Sequence, residues 1–243
     1  MTKNLLPLVL IFLISRPALA FSLQLDADSL VIPSTGSKTP YKNIHSLMIL
    51  DGAPANLFDS PPLQFPNVKK VGLSAPSYVD YHLKYMAKNY SWLERLSINQ
   101  TEMLTDDNFK QLKNIRLHAL GFDCPLESPQ DFASTIPKTL KLLYLGPHSN
   151  ITERSDVFLS LPNLSVLDIR GTKLKNDFLS NSDCPNLEEL DLINVKVDEG
   201  KLKGLENFPK LKKVSLYGTI LDENTMQLIK TKKVKIQKYY SNH

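Results

Sequence analysis

Asp168 and Asp191 stand in equivalent settings, Leu167-Asp168-Ile169 and Leu190-Asp191-Leu192. If each lies on a strand, both carboxylates leave the same face, and a close pair of carboxylates can pass protons or hold a cation. That chemistry is the basis of a hydrolase reading. It is disfavoured, because Arg170 and Arg116 lie near the pair and a mixed charged patch needs no catalysis. Cys124 and His118 are close enough to suggest a thiol and its base, but the thiol falls beyond a strand and the imidazole on its outer face. The five histidines, His45, His82, His118, His148 and His243, are scattered, and no two have the four-residue spacing of a helical zinc site. Gly36-Ser37-Lys38-Thr39 lacks the glycine that opens a phosphate-binding loop and reads as a linker; Asp26 and Asp28 are too sparse for a calcium loop. No metal or cofactor is expected, and the chain is read as a binding protein rather than an enzyme.

What must position these residues is a repeat. Leucine supplies 41 of 243 residues. The pattern Leu-x-x-Leu-x-Leu recurs at Leu164, Leu167, Ile169; at Leu187, Leu190, Leu192; and at Leu211, Val214, Leu216, with starts 23 and 24 residues apart. The same frame fits Ile44, Leu47, Ile49; Val68, Val71, Leu73; Leu93, Leu96, Ile98; and Leu140, Leu143, Leu145, while Val234 and Ile236 begin a partial copy. One coil must sit between Leu93 and Leu140, which makes nine. Its register has two fits, one with Leu112, Ile115 and Leu117 inward and one with Leu117 and Ala119 inward. In both, Arg116 and His118 point outward.

Across residues 41–240 the chain resembles the leucine-rich repeat family. In x-Leu-x-Leu-x the leucines face one side of a strand and the intervening residues the other. One coil cannot bury its leucines alone, whereas stacked coils share a core. The resemblance implies an α/β solenoid with a parallel concave sheet and short convex helices. Thr105-Asp106-Asp107 and Asp222-Glu223 read as helix N-caps, and Pro66, Pro162, Pro185 and Pro209 stand just before strands. Phe21 to Ile32 alternates and suggests a strand or hairpin closing the amino end; Lys232, Lys233, Lys235 and Lys238 surround the last strand and read as protection of an open edge. Cys124 and Cys184 lie more than two coils apart, beyond disulfide reach, and are expected as free, buried thiols. The absence of cysteine-rich caps points to a bacterial exported type.

Lys3, the apolar run Leu5–Ile14 and Ala18-Leu19-Ala20 read as a secretory signal peptide over residues 1–20. Residues 21–40 then form an N-terminal cap and 41–243 the repeats, in a secreted or periplasmic product. No later apolar stretch is long enough to span a membrane. The 29 Lys plus Arg against 25 Asp plus Glu are too balanced for a nucleic-acid clamp. Sequons at Asn89, Asn99, Asn150 and Asn163 include two, Asn99 and Asn163, in places awkward for a glycan.

The central outward row reads Met48, Gly72, Ser97, Arg116, Tyr144, Asp168, Asp191, Ser215, Lys235; the next includes His118, Gly146, Arg170, Ile193, Tyr217 and Gln237, and the preceding one Leu142, Val166, Glu189 and Lys213. Tyrosine and arginine are frequent anchors of interfaces. The expected partner-binding residues are therefore Arg116, His118, Leu142, Tyr144, Asp168, Arg170, Asp191, Ile193 and Tyr217. The expected partner is a protein, a host protein if the source is a pathogen; a glycan or cell-envelope ligand is the alternative.

Overall fold

A computed structural model describes residues 29–32, 45–50, 67–74, 79–99, 103–154 and 157–239. The expected signal peptide lies outside them, as do most of the expected cap and the sequon residues 100 and 101. In chain order the elements are β1 (Ser29–Ile32), β2 (Ser46–Leu50), β3 (Lys70–Ser74), α1 (Val79–Asn89), β4 (Arg95–Asn99), α2 (Asp106–Lys110), β5 (Ala119–Asp123) and α3 (Pro129–Thr135). There follow β6 (Leu142–Leu145), β7 (Val166–Arg170), β8 (Lys173–Leu174), β9 (Glu189–Ile193), β10 (Lys196–Val197), β11 (Lys213–Tyr217), α4 (Glu223–Thr231) and β12 (Lys235–Tyr239).

Ten strands form one sheet in the order β1-β2-β3-β4-β5-β6-β7-β9-β11-β12, and every neighbouring pair is parallel. From β2 onward each strand pairs with the next at an offset of 22 to 25 residues, as the 23- and 24-residue spacing of the leucines requires. The arrangement is a parallel α/β repeat. Of the amino-terminal segment, β1 joins this sheet parallel to β2 rather than as a hairpin.

Alternation within each strand sends its second and fourth residues into the core. Leu96 and Ile98, Leu167 and Ile169, and Leu190 and Leu192 are all essentially inaccessible. A main-chain ladder fixes the entry to each strand: the carbonyl of Lys69 accepts from the N–H of Glu94 and Arg95, that of Glu94 from His118 and Ala119, and that of His118 from Lys141 and Leu142. The series continues through Lys141, Ser165, Glu188 and Lys212.

This ladder corrects the register of the fourth coil. Its strand is Ala119–Asp123, with Leu117, Leu120 and Phe122 in the three inward positions, so neither expected frame holds. Leu112 and Ile115 are also buried, but from the short 3-10 turn and its exit rather than from a strand. Phe122 packs on Phe132 of α3 with ring centroids 4.7 Å apart. The last coil shifts too: Lys235 pairs with Lys213 and Gln237 with Ser215, so Gln237 rather than Lys235 takes the central row.

Helices occupy four of the crossings between strands; in two others the short strands β8 and β10 pair with each other, and turns or single-turn 3-10 segments make up the rest of those described. At α4 the expected cap is present, Asp222 accepting from the N–H of Thr225 at 2.8 Å. Before α2 the bond runs the other way, the N–H of Thr105 donating to Asn108 Oδ1 at 2.7 Å. Cys124 and Cys184 are free and buried. Among the described residues no helix is long and apolar enough to cross a membrane.

Candidate functional site

The core leucines leave the opposite face of the sheet as a broad surface to which successive strands contribute. Its central row reads Gly121, Tyr144, Asp168, Asp191, Ser215, Gln237 from β5 to β12, each in register with the next. Beside it run Asp123, Arg170, Ile193 and Tyr217 on one side and Ala119, Leu142, Val166, Glu189 and Lys213 on the other. The surface therefore brings together seven of the nine expected residues: Leu142, Tyr144, Asp168, Arg170, Asp191, Ile193 and Tyr217.

Arg116 and His118 are not among them. Both precede β5 and are exposed at the strand entry; His118 is the rung of the main-chain ladder between Glu94 and Lys141. Arg116 stands where other coils place Trp92, Thr139, Asn163 and Asn186, whose side chains donate back to the preceding coil at the carbonyls of Val68, Leu117, Lys138 and Pro162. The expected outward placement on the sheet fails because Leu117 opens the coil instead of lying within its strand.

The middle of the surface is a closed polar unit. Arg170 Nε donates to Asp168 Oδ1 at 2.8 Å and Arg170 Nη2 to Oδ2 at 2.6 Å, a fork matched to both carboxylate oxygens. The guanidinium carbon lies 5.5 Å from the centre of the Tyr144 ring, within cation–π range. Tyr144 is only 3% exposed and Asp168 7%. Burial pushes the Asp168 carboxyl above its ordinary range, with Asp191 adding to the rise and the Arg170 hydrogen bonds opposing it. Burial, then the nearby charge of Asp123, pushes the Tyr144 hydroxyl up to about 12. On the next strand Asp191 is half-buried, and its shielded Oδ1 accepts no hydrogen bond from the described residues.

Asp123 is the member of this face that the sequence reading missed. It is 7% exposed, accepts from the main-chain N–H of His148 at 2.8 Å, and has His148 Nδ1 3.0 Å from the same oxygen. Gly146 makes the room: a Cβ there would collide with the Asp123 carboxylate. The signal was in the spacing, since 24 residues from Leu93 and 23 before Leu140 both lead to Leu117 as the first inward position, and hence to Asp123 as the last strand residue.

Around the polar unit lies a half-buried, largely apolar border: Leu142 and Val166 in register on one flank, Ile193 and Tyr217 on the other. Glu189 and Lys213 neutralise each other at 2.9 Å. The arrangement offers apolar contact area beside fixed charge. It offers little for acid–base chemistry at Asp168, whose two oxygens are both occupied by Arg170.

The chain matches no protein-family model and no curated protein. Among solved structures it is similar to a crystal structure of a Bacteroides fragilis protein, at 12% identity and a TM-score of 0.31, over 73% of this chain and 66% of that one, just under two thirds.

Proposed function

We propose that the chain is an exported leucine-rich repeat protein, a solenoid whose concave sheet holds a protein partner. The observation that carries this reading is the border of Leu142, Val166, Ile193 and Tyr217, half-exposed and in register around an already ordered Asp168–Arg170–Tyr144 unit. Apolar side chains left half-exposed on an outer sheet face have no core to fill, and a half-exposed tyrosine such as Tyr217 is of a residue type enriched among interface anchors. Ordering of the charged groups before contact lowers the entropy cost of association. Occupation of both Asp168 oxygens supports binding over hydrolysis.

The test is capture with the wild type and with an Ile193→Ala, Tyr217→Ala variant side by side, followed by titration of the purified partner. Loss of a central anchor costs about 2 kcal/mol or more, so the double variant should bind at least about thirtyfold more weakly. A partner held equally by both proteins removes the outer sheet face from the proposal.

A further inference from the structure

We infer that the carboxy-terminal end of the sheet docks on an anionic lipid surface. Residues 224–243 contain five lysines, Lys230, Lys232, Lys233, Lys235 and Lys238, and no acid. The remaining 223 residues hold 24 Lys plus Arg against 25 Asp plus Glu. All of the net positive charge of the chain thus sits at this one end.

The fold spreads the five charges around the end of the stack. Lys230 is in the last turn of α4, Lys232 caps that helix, Lys233 sits in the turn at a φ of 57°, and Lys235 and Lys238 stand on β12. Side chains alternate along a strand, so Lys235 leaves by the outer face while Lys238 occupies the row of Leu192 and Leu216. All but Lys232 are exposed. Between them the partly buried Leu228 and Ile236 are covered by no further coil among the described residues.

Protection of the sheet edge accounts for Lys235 and Lys238. It does not account for the three lysines on the helix end and turn. The inward-facing Lys238 also disfavours addition of a partner strand, which would bury its charge. All five cations are lysine; a lysine is a point charge without the fork that reads one carboxylate or phosphate geometry. A ring of point charges around a small apolar centre matches a plane of diffuse negative charge, as lipid head groups present.

The experiment is co-sedimentation of the full chain with vesicles of phosphatidylcholine alone or with about 30% phosphatidylglycerol, at low and at 0.5 M salt. Each lysine near an anionic bilayer contributes about fivefold to partitioning. Binding is expected to the mixed vesicles only, to vanish at high salt, and to fall about 25-fold in a Lys235→Gln, Lys238→Gln variant. A second pair, Lys230→Gln with Lys233→Gln, should fall similarly, while the exposed but remote Lys173→Gln, Lys196→Gln control should not. No binding to mixed vesicles, equal binding to both vesicle types, or equal loss in the control overturns the inference. So does displacement by short duplex DNA at concentrations that leave a vesicle-saturating charge excess, which would make the end a reader of polyanions in solution.

Discussion

Arg170 is the perturbation that interrogates the polar unit most directly. Replacing it with alanine leaves Asp168, 7% exposed, without the donors at 2.8 and 2.6 Å that hold both its oxygens. Removing one partner of a buried pair costs about 3–5 kcal/mol. Here the arginine side chain is 19% exposed, so water entering the vacated space lowers the expected loss to about 2–3 kcal/mol at pH 7. Protonation sets a ceiling, since neutralising a carboxyl of ordinary pKa about 3.9 at pH 7 costs about 4 kcal/mol. That ceiling collapses toward zero near pH 4. The sign follows: burial already holds the folded-state pKa of Asp168 above its unfolded value, and loss of Arg170 raises it further. The variant is therefore least destabilised below the unfolded pKa and loses stability as pH rises through the folded one. Near pH 4 the residual deficit should be about 1 kcal/mol, from lost contact with the Tyr144 ring. Urea unfolding followed by circular dichroism at pH 4, 5, 6 and 7, with wild type at each pH, isolates the difference from every other titration. Adding Asp168→Asn should restore most of the loss at pH 7. A deficit independent of pH, one below about 0.5 kcal/mol at pH 7, or failure of the asparagine to rescue would refute the reasoning.

Two further outcomes test the packing that carries this face. His82 is fully buried, and burial lowers its pKa to about 4; the neutral imidazole contributes stability fully present above pH 6.5 and lost as pH falls toward 4, about 3 kcal/mol in all. Urea midpoints over that range should flatten in His82→Leu relative to wild type, and an unchanged slope would remove His82 as the cause. Asn150 accepts from the N–H of Leu126 at 3.0 Å and donates to its carbonyl at 2.9 Å in a partly buried setting, so Asn150→Ala should cost about 2 kcal/mol. The single exposed bond of Asn163 to Lys138 should cost well under about 1 kcal/mol when lost, and equal thermal shifts for the two variants would contradict this ranking.

Strand positions were legible wherever the inward residues were separated from other apolar residues. Leu187 and Leu190 are flanked by charged or polar neighbours and Leu192 is preceded by Asp191, and only one frame fits them. Between Leu112 and Phe122 the chain passes from a 3-10 turn through four residues into β5, and Leu112, Ile115, Leu117, Leu120 and Phe122 are all buried. Core-facing residues from a helix and from a strand then run together, and periodicity alone cannot separate a period near 3.6 from a period of 2. The distance to neighbouring coils decides it, because the in-register strands of this repeat recur at nearly constant spacing, as Arg95, Ala119 and Leu142 show. At β12 the local pattern misled for another reason. Val234 is buried beside the strand entry, so the apolar pair Val234 and Ile236 imitates a strand start two residues early.

Exposure on the outer face was less legible than position, because a residue's depth there depends on two neighbouring coils. Tyr144 and Tyr217 occupy outward positions and read alike in the sequence. Tyr144 pairs with Gly121 on one side and Asp168 on the other, and Arg170 lies over its ring. A glycine neighbour leaves the ring space to lie down, and the guanidinium covers what remains, hence its 3% exposure. Tyr217 has Ile193 beside it, and it stays half-exposed. The first tyrosine therefore belongs to the floor that fixes Arg170, and its removal tests stability; the second stands at the border, and its removal tests contact. An alanine scan that treated the two as equal anchors would mistake loss of the floor for loss of the interface, which is why Ile193 and Tyr217, rather than Tyr144, carry the binding test.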